Sequence, residues 1–259
     1  MAVEHIYKVG TLLFDNLQDA ETFDEYSKSF NKKQLKELYK GYKSKINYKS
    51  YLNPEFDFKQ MEFIRIGLGM NLDINYYLNP KFNWQQMRQI YIGLTKGINV
   101  SIYANPEFNY NQMFEIRTGL EKSLDVSWYA KPEFNLEQME QILFGLEQGL
   151  NVSLYANPEF GDYEMAEIRL GLEKGLNVSI YAISKFDWSQ MREIRFALEK
   201  GTNPVEISKY ANPIYSTAQM FELFRGLEQN LDVSCYANPK FDKYQMEQIR
   251  LGLYNKNKC

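Results

Sequence analysis

Residue types that make and break bonds are scarce in this chain of 259 residues. It has a single histidine, His5, and two cysteines, Cys235 and Cys259. An imidazole-based acid–base pair, a Cys–His nucleophile and a histidine metal cluster therefore lack parts. A glycine-rich phosphate loop is missing too. Carboxylates are plentiful, but no pair of them departs from the repeat pattern of the chain. The side chains that remain are suited to recognition. Arg65, Arg117, Arg169, Arg195 and Arg250 recur at one repeat position, and a row of guanidiniums suits phosphates or acidic partners. Against that stands pairing with Glu121, Glu173 and Glu199, one helical turn further on, or with adjacent units. Aromatic and apolar residues recur where a long helix begins: Phe58, Trp84, Tyr110, Leu136, Tyr163, Trp188 and Tyr244. Aromatics that face solvent at a helix start are candidate contact points for a partner; the alternative is that they pack on the adjacent unit. Phe144, Phe196, Ile66, Ile92 and Leu170, five residues after their methionines, raise the same question, with burial between inner helices as the plainer answer.

The elements that position these residues follow from a ladder of methionines at Met61, Met87, Met113, Met139, Met165, Met191, Met220 and Met246, spaced by 26 residues except for one step of 29. Such a period marks a stacked-repeat protein. In the unit from Asn99 to Leu124, Asn109 and Gln112 form a capping box at the start of a long helix, and Phe108 with Met113 forms a hydrophobic staple. The pattern recurs as Asp57/Gln60, Asn83/Gln86 and Asp187/Gln190. Met113, Ile116 and Leu120 lie on one helical face. Ten residues after the methionine come Gly97, Gly149, Gly175 or Gly201, with Asn71 and Asn230 as substitutes, the residue types that accept a left-handed helix stop.

Asp or Asn then caps a second, shorter element, Val-Ser-x-Tyr-Ala-Asn, expected to be a helix of about 1.5 turns. A proline such as Pro106 ends it. Neither helix is stable alone at this length, so stacking must supply the stability. The glycine inside the long helix (Gly67, Gly93, Gly119 and equivalents) costs roughly 1 kcal/mol against alanine, and its recurrence implies close packing of neighbouring helices. A tyrosine ladder, Tyr51 to Tyr236, is expected in the core with hydroxyls at the rim.

These signals specify an all-α fold: an α-solenoid of about eight to nine stacked two-helix repeats with a non-repeat N-terminal cap. Residues 1–29 form the cap and 30–254 a single continuous solenoid. Phe30, Gln34, Leu35 and Gly41 mark a degenerate first unit. The stretch near 183–210 is irregular: Ser184 replaces proline, Ala197 replaces glycine, and three extra residues fall within Thr202–Ser208. A kink, hinge or binding notch is the functional reading there, drift or a modest change of superhelix the plain one. Residues 255–259 form a polar tail expected to be disordered. The candidate partner-binding residues are thus Phe58, Trp84, Tyr110, Tyr163, Trp188 and Tyr244, with Lys185 and Asn203 in the irregular stretch.

The consensus Tyr-Ala-x-Pro-x-Phe-[Asp/Asn]-x-x-Gln-Met-x-x-Ile-Arg-x-Gly-Leu-Glu-x-Gly-Leu-[Asp/Asn]-Val-Ser resembles a short two-helix tandem repeat of phage and mobile-element proteins from Gram-positive gut bacteria. The resemblance spans roughly residues 47–253. It implies a repeat architecture and a role in contests between mobile elements and host defence; no catalytic residue carries over. In general shape such repeats are similar to TPR-like and HEAT-like solenoids, with a shorter unit.

A net charge of −3 lacks the basic footprint of a general nucleic-acid binder. No run of residues approaches the length of a membrane span, no secretory leader is evident, and two cysteines give no disulfide framework; Cys235 is expected to pack as a small apolar residue. The expectation is a cytoplasmic, non-enzymatic scaffold without cofactor or metal that binds a protein, such as a host defence or nucleic-acid-processing protein that it inhibits. The alternative is a helical-repeat protein that binds nucleic acid by stacking and the arginine row.

Overall fold

The computed structural model describes residues 6–256, so His5 and Cys259 lie outside the described residues. The fold is an all-α helical-repeat solenoid with an N-terminal cap, and among the described residues strands are confined to one hairpin. The residues fall into two compact units, Met1–Lys122 and Ser123–Cys259.

The first unit opens with that hairpin, β1 (Tyr7–Val9) and β2 (Leu12–Phe14), which the repeat pattern does not foreshadow. It is followed by α1 (Leu17–Tyr26) and then by the long helices α2 (Lys32–Lys43), α3 (Phe58–Gly69), α4 (Trp84–Thr95) and α5 (Tyr110–Glu121). Phe14, Phe23 and Leu38 close the front of the stack as a buried cluster. Tyr39 and Tyr42 pack edge-on and tilted against Phe14. Tyr42 donates to Asp19, and that bond, with burial, pushes its hydroxyl up to about 12.

The second unit holds α6 (Leu136–Glu147), α7 (Asp162–Glu173), α8 (Trp188–Glu199), α9 (Pro204–Tyr210), α10 (Thr217–Glu228) and α11 (Lys243–Lys256). Asn255 and Lys256, placed in the polar tail by their composition, continue α11. No described helix is long and apolar enough to cross a membrane.

The capping boxes form as the spacing requires on α2, α3, α4, α5, α6, α8 and α10. The glutamine of each box does more than cap. In α4, Gln86 Oε1 accepts from the Asn83 N–H at 2.7 Å, and Nε2 donates to the carbonyls of Pro106 (3.1 Å) and Phe108 (2.6 Å) in the next repeat. Gln34 and Gln60 in the first unit, and Gln138, Gln190 and Gln219 in the second, make the same bridge. Each is buried, so one carboxamide satisfies a helix start and the following chain at once.

The short element is a single 3-10 turn, not the longer helix expected. Asn99 accepts from the Ser101 N–H, Val100–Ile102 make the turn, and the chain leaves it at the Asn-Pro step. The residue before proline is pushed out of helical backbone, and here it arrives too soon for a full α-turn. The exception is the irregular repeat. There Pro204 stands in the first turn and the extra residues extend the element into α9, while Gln190 still reaches Pro213 and Tyr215. The helix stops agree with expectation: Asn71, Gly97, Gly149, Gly175, Gly201 and Asn230 all take positive φ, as does Ser123. Ile98 N–H then reaches back to the Gly93 carbonyl at 2.9 Å, the wider-spanning of the two Schellman bonds.

The interior glycine has a different cause from the one its recurrence suggests. It makes room for a hydroxyl rather than for a neighbouring helix. Tyr77 lies fully buried, and its hydroxyl donates to the Phe63 carbonyl at 3.3 Å, directly over Gly67. A Cβ at Gly67 would sit 1.9 Å from that oxygen. Gly41/Tyr51, Gly93/Tyr103, Gly145/Tyr155, Gly171/Tyr181 and Gly226/Tyr236 repeat the geometry. The hydroxyls are therefore inside the stack and not at its rim. Where Ala197 replaces the glycine, the corresponding Tyr210 is only half-buried, and Ile207 fills the core.

Gly67→Ala should destabilise by about 1–3 kcal/mol despite alanine's better helix propensity. Adding Tyr77→Phe should recover part of that loss, because it removes the hydroxyl that lies nearest the added methyl. Urea unfolding of the double-mutant cycle checks this; strictly additive losses would show that the two positions do not meet.

Candidate interaction surface

On α3, α4, α5, α6, α8 and α10, the buried face is made by the methionine, the residue three after it and the box glutamine. Met87, Ile90 and Gln86 are an example, all buried. The opposite face carries the first helical residues and those one and five after the methionine, spaced to share one side. This is the face that varies from repeat to repeat.

The arginine row belongs to the framework. In the first unit, Arg65 Nε meets Glu37 at 3.0 Å, and Arg117 meets Gln89 at 3.1 Å and pairs with Glu121. In the second unit, Arg169 bridges Gln141 and Glu173, Arg195 bridges Glu167 (2.7 Å) and Glu199, and Arg250 bridges Glu222 (2.7 Å) and Gln229. Each arginine thus ties its helix to the preceding long helix, which is the pairing alternative with an inter-repeat arm added. Lysines complete the ladder: Lys96 reaches Glu121, Lys174 reaches Glu199, and Lys200 reaches Glu228. The Lys96 bond, together with Arg117, holds the Glu121 carboxyl below its ordinary range. Burial works against Glu199, but Lys174 and Arg195 outweigh it and leave that carboxyl lowered as well.

The sequence candidates divide. Phe58, Trp84 and Tyr110 occupy the first residue of α3, α4 and α5, but Phe58 and Trp84 are only half-exposed. Lys33 lies over the Phe58 ring at 4.7 Å, and Lys59 lies over Trp84 at 4.0 Å, whose other neighbour is the stacked ring of Phe63. Tyr110 stays more open. In the second unit, Trp188 begins α8 beneath Arg192, while Tyr163 and Tyr244 are the second residues of α7 and α11 and are 64% and 70% exposed. Tyr163 and Trp188 are brought together, with ring centroids 5.8 Å apart. Lys185 is exposed. Asn203 is engaged as the cap of α9, accepting from the Val205 N–H.

The residues five after the methionine are not buried between helices in the second unit. Phe144 is 43% exposed and Phe196 40%. Leu170 between them is half-buried and Leu251 on α11 is exposed, while on α10 the equivalent position is Arg225, with exposed Phe221 one helical turn before it. Consecutive long helices here pack side by side, and positions one and five after the methionine lie one turn apart on one side of the helix, so these side chains share one face. Arginines flank its phenyl rings: Arg169 over Phe144, Arg195 over Phe196 at 4.6 Å, and Arg225 over Phe221. Burial raises the carboxyl of Glu193, in the depression beside Phe221, above its ordinary value, with Arg192 and Lys200 opposing. Phe114 and Arg117 repeat the ring–guanidinium motif in the first unit.

A second exposed series was hidden in the sequence. The last residue of five of the 3-10 turns, Tyr76, Ile102, Trp128, Leu154 and Cys235, is exposed, and Ile180 at the end of another is half-exposed. Cys235 therefore does not pack as a core residue. Its Sγ turns back toward the Asp232 carbonyl. The turn is too short to bury its third side chain.

The irregular repeat does form a notch. It is a hollow of 720 Å³ between the C-terminal ends of α8 and α10 and the start of α9, lined by Lys200, Thr202, Asn203, Glu206 and Glu228 among others. Thr202 replaces the apolar residue that follows the helix stop elsewhere, and its buried hydroxyl has no partner. Among the described residues no cluster of His, Cys, Asp or Glu is arranged to hold a metal ion.

The tyrosine hydroxyls make an alkaline fingerprint. Burial raises the pKa of Tyr51, Tyr77, Tyr103, Tyr155, Tyr181 and Tyr236 well above the ordinary range. Unfolded tyrosine ionises near about 10. Their stabilisation is therefore complete below about pH 10 and is lost as pH rises beyond it. A pH titration should show exposed tyrosines ionising first, then a second wave of phenolate absorbance coincident with loss of helical ellipticity. A second wave that precedes the loss would contradict the buried geometry. The Glu222–Arg250 pair is almost fully enclosed; Glu222→Ala should cost about 3–5 kcal/mol, against less than about 0.5 kcal/mol for exposed Arg225→Ala. Equal effects in chemical denaturation would contradict the burial.

No family model, curated protein or solved structure matches this chain.

Proposed function

We propose that the protein is a non-enzymatic scaffold that binds a protein partner through the exposed face of its long helices, centred on the second unit. The observation that carries this reading is the exposed face that presents Phe144, Phe196, Phe221 and Leu251, with half-buried Leu170 among them and arginines flanking the phenyl rings. Large apolar side chains left in solvent in a contiguous series mark interaction sites, and aromatic rings beside guanidiniums are the chemistry of interface hot spots. The variation of this face against a constant interior gives each repeat its own contact while the stack is preserved.

The arginines favour protein over nucleic acid as the partner. Arg169 and Arg195 are committed to Glu or Gln on two sides, which leaves the flat face of the guanidinium for the phenyl ring but few donors for phosphate. Net charge is −3. The reading also accounts for the interior charges without catalysis, since they serve as links between helices. The phage or mobile-element resemblance suggests a host defence or nucleic-acid-processing protein as the partner, inhibited by occlusion in the cytoplasm.

Phe196→Ser combined with Phe221→Ser should leave the thermal midpoint within about 5 °C of the parent. Affinity capture from a Gram-positive gut bacterium, read by mass spectrometry, should lose the protein retained by the parent chain. Undiminished capture by the double variant would refute this surface. Oligonucleotide binding that weakens steeply with salt would instead favour the nucleic-acid alternative.

A further inference from the structure

The repeats contain, several times over, the template for a surface that α11 leaves uncovered. On α10, Gln219 Nε2 donates to the carbonyls of Pro239 (3.1 Å) and Phe241 (2.6 Å). Gly226 admits the Tyr236 hydroxyl, which donates to the Glu222 carbonyl at 3.2 Å. The segment that supplies these groups, Tyr236 to Phe241, has the form Tyr-x-x-Pro-x-Phe.

The same receptor is present on α11. Gln245 holds the position of Gln219, Gly252 that of Gly226, and the Gln248 carbonyl that of Glu222. Gln245 Oε1 performs its capping half, accepting from the Asp242 N–H at 2.9 Å. Its Nε2 meets no acceptor among the described residues, and its side chain is exposed where Gln34, Gln60, Gln86, Gln138, Gln190 and Gln219 are buried. A Cβ built on Gly252 meets nothing within 4 Å, whereas at Gly226 it would meet the tyrosine oxygen at 1.9 Å. Phe241 and Ile249 are half-exposed although Phe82 and Ile90, their counterparts, are buried. Phe241, Gln245, Gln248 and Ile249 surround a depression of 430 Å³.

We propose that this face of α11 docks a repeat edge from a partner protein. The partner contributes a Tyr-x-x-Pro-x-Phe segment: its tyrosine hydroxyl seats on Gly252 and donates to the Gln248 carbonyl, and its proline and phenylalanine carbonyls accept from Gln245 Nε2. The interface is the one the chain already makes between its own helices, so the occupant's chemistry is read from that interface. A second copy of the chain is poorly suited to supply it. Its tyrosines at Tyr51, Tyr77, Tyr103, Tyr155, Tyr181 and Tyr236 are already seated on their own glycines, and its front is closed by the cluster around Phe14 and Phe23.

Gly252 makes the test clean, because alanine there obstructs a docked hydroxyl and nothing else. A dye-labelled peptide with the sequence of residues 151–160, which contains Tyr155, Pro158 and Phe160, is titrated with the full chain by fluorescence polarisation. The parent should bind it, Gly252→Ala should weaken binding at least about tenfold, and a peptide with Tyr155→Phe should bind about 3–10-fold less tightly. Circular dichroism should show the same helix content and an equal or higher melting temperature for Gly252→Ala. Absence of peptide binding to the parent, or equal binding by parent and Gly252→Ala, would overturn the proposal. So would sedimentation showing a dimer of the parent that Gly252→Ala dissolves, since the occupant would then be a second copy.

Discussion

The structure depends on a carboxamide that faces two ways. The oxygen of each box glutamine holds the start of its own helix, and the nitrogen holds the carbonyls of the chain that enters the next one. A helix of three turns is marginal in isolation, and a loop that buries two carbonyls without donors is costly. One buried side chain removes both difficulties, and it does so only if the next repeat is in place. Local order and stacking are therefore the same event, in the sense that neither half of the bond network can be completed alone. The α7 repeat shows the alternative. Glu164 stands where the glutamine would be, Gly161 caps without a side chain, and the glutamate accepts from the Trp188 N–H instead. The following turn has Ser184 in place of proline, so donor and acceptor positions changed together.

Much of this was legible in the residues. Caps, staples, helix stops and the repeat length are local signals, set by side chains within a few positions of one another, and the helices begin and end accordingly. Longer-range information was less accessible. The glycine and the tyrosine are ten residues apart, as in Gly67 and Tyr77, and nothing in either residue alone says that a hydroxyl needs the space. The available clue was that ten residues after Ala197 stands Ile207 instead of a tyrosine. The glutamine's outward donor bonds were hidden for the same reason, because a capping box explains the residue fully without them. The 3-10 turn was misjudged since Val-Ser-x-Tyr reads as helix until the geometry of the Asn-Pro step is imposed. The β-hairpin could not be foreseen from a pattern it does not share.

The candidate surface was legible only in part. Aromatics at helix starts stood out by type, yet Phe58 and Trp84 turn out to be partly covered by Lys33, Lys59 and Phe63. Phe144 and Phe196 stood out less and are more exposed. The difference lies in which residues the neighbouring repeat supplies at the same height, which is a property of the stack and not of the helix. The same geometry assigns the arginines a double duty. Their edges hold helices together through Glu and Gln, and their faces support exposed rings, so the interior ion pairs fix the posture of the side chains that solvent sees.

The α9 insertion has an evolutionary consequence. Near-identical tandem units invite slippage and unequal crossing-over, which add or delete residues at arbitrary points. Between Met191 and Met220 the extra length is absorbed wholly by a short turn that winds into α9, and the glutamine at 190 still finds its carbonyls on the far side. That turn acts as a tolerant joint in the gene product. Such a joint can lengthen and open a hollow beside it while the glutamine bridge across it is kept.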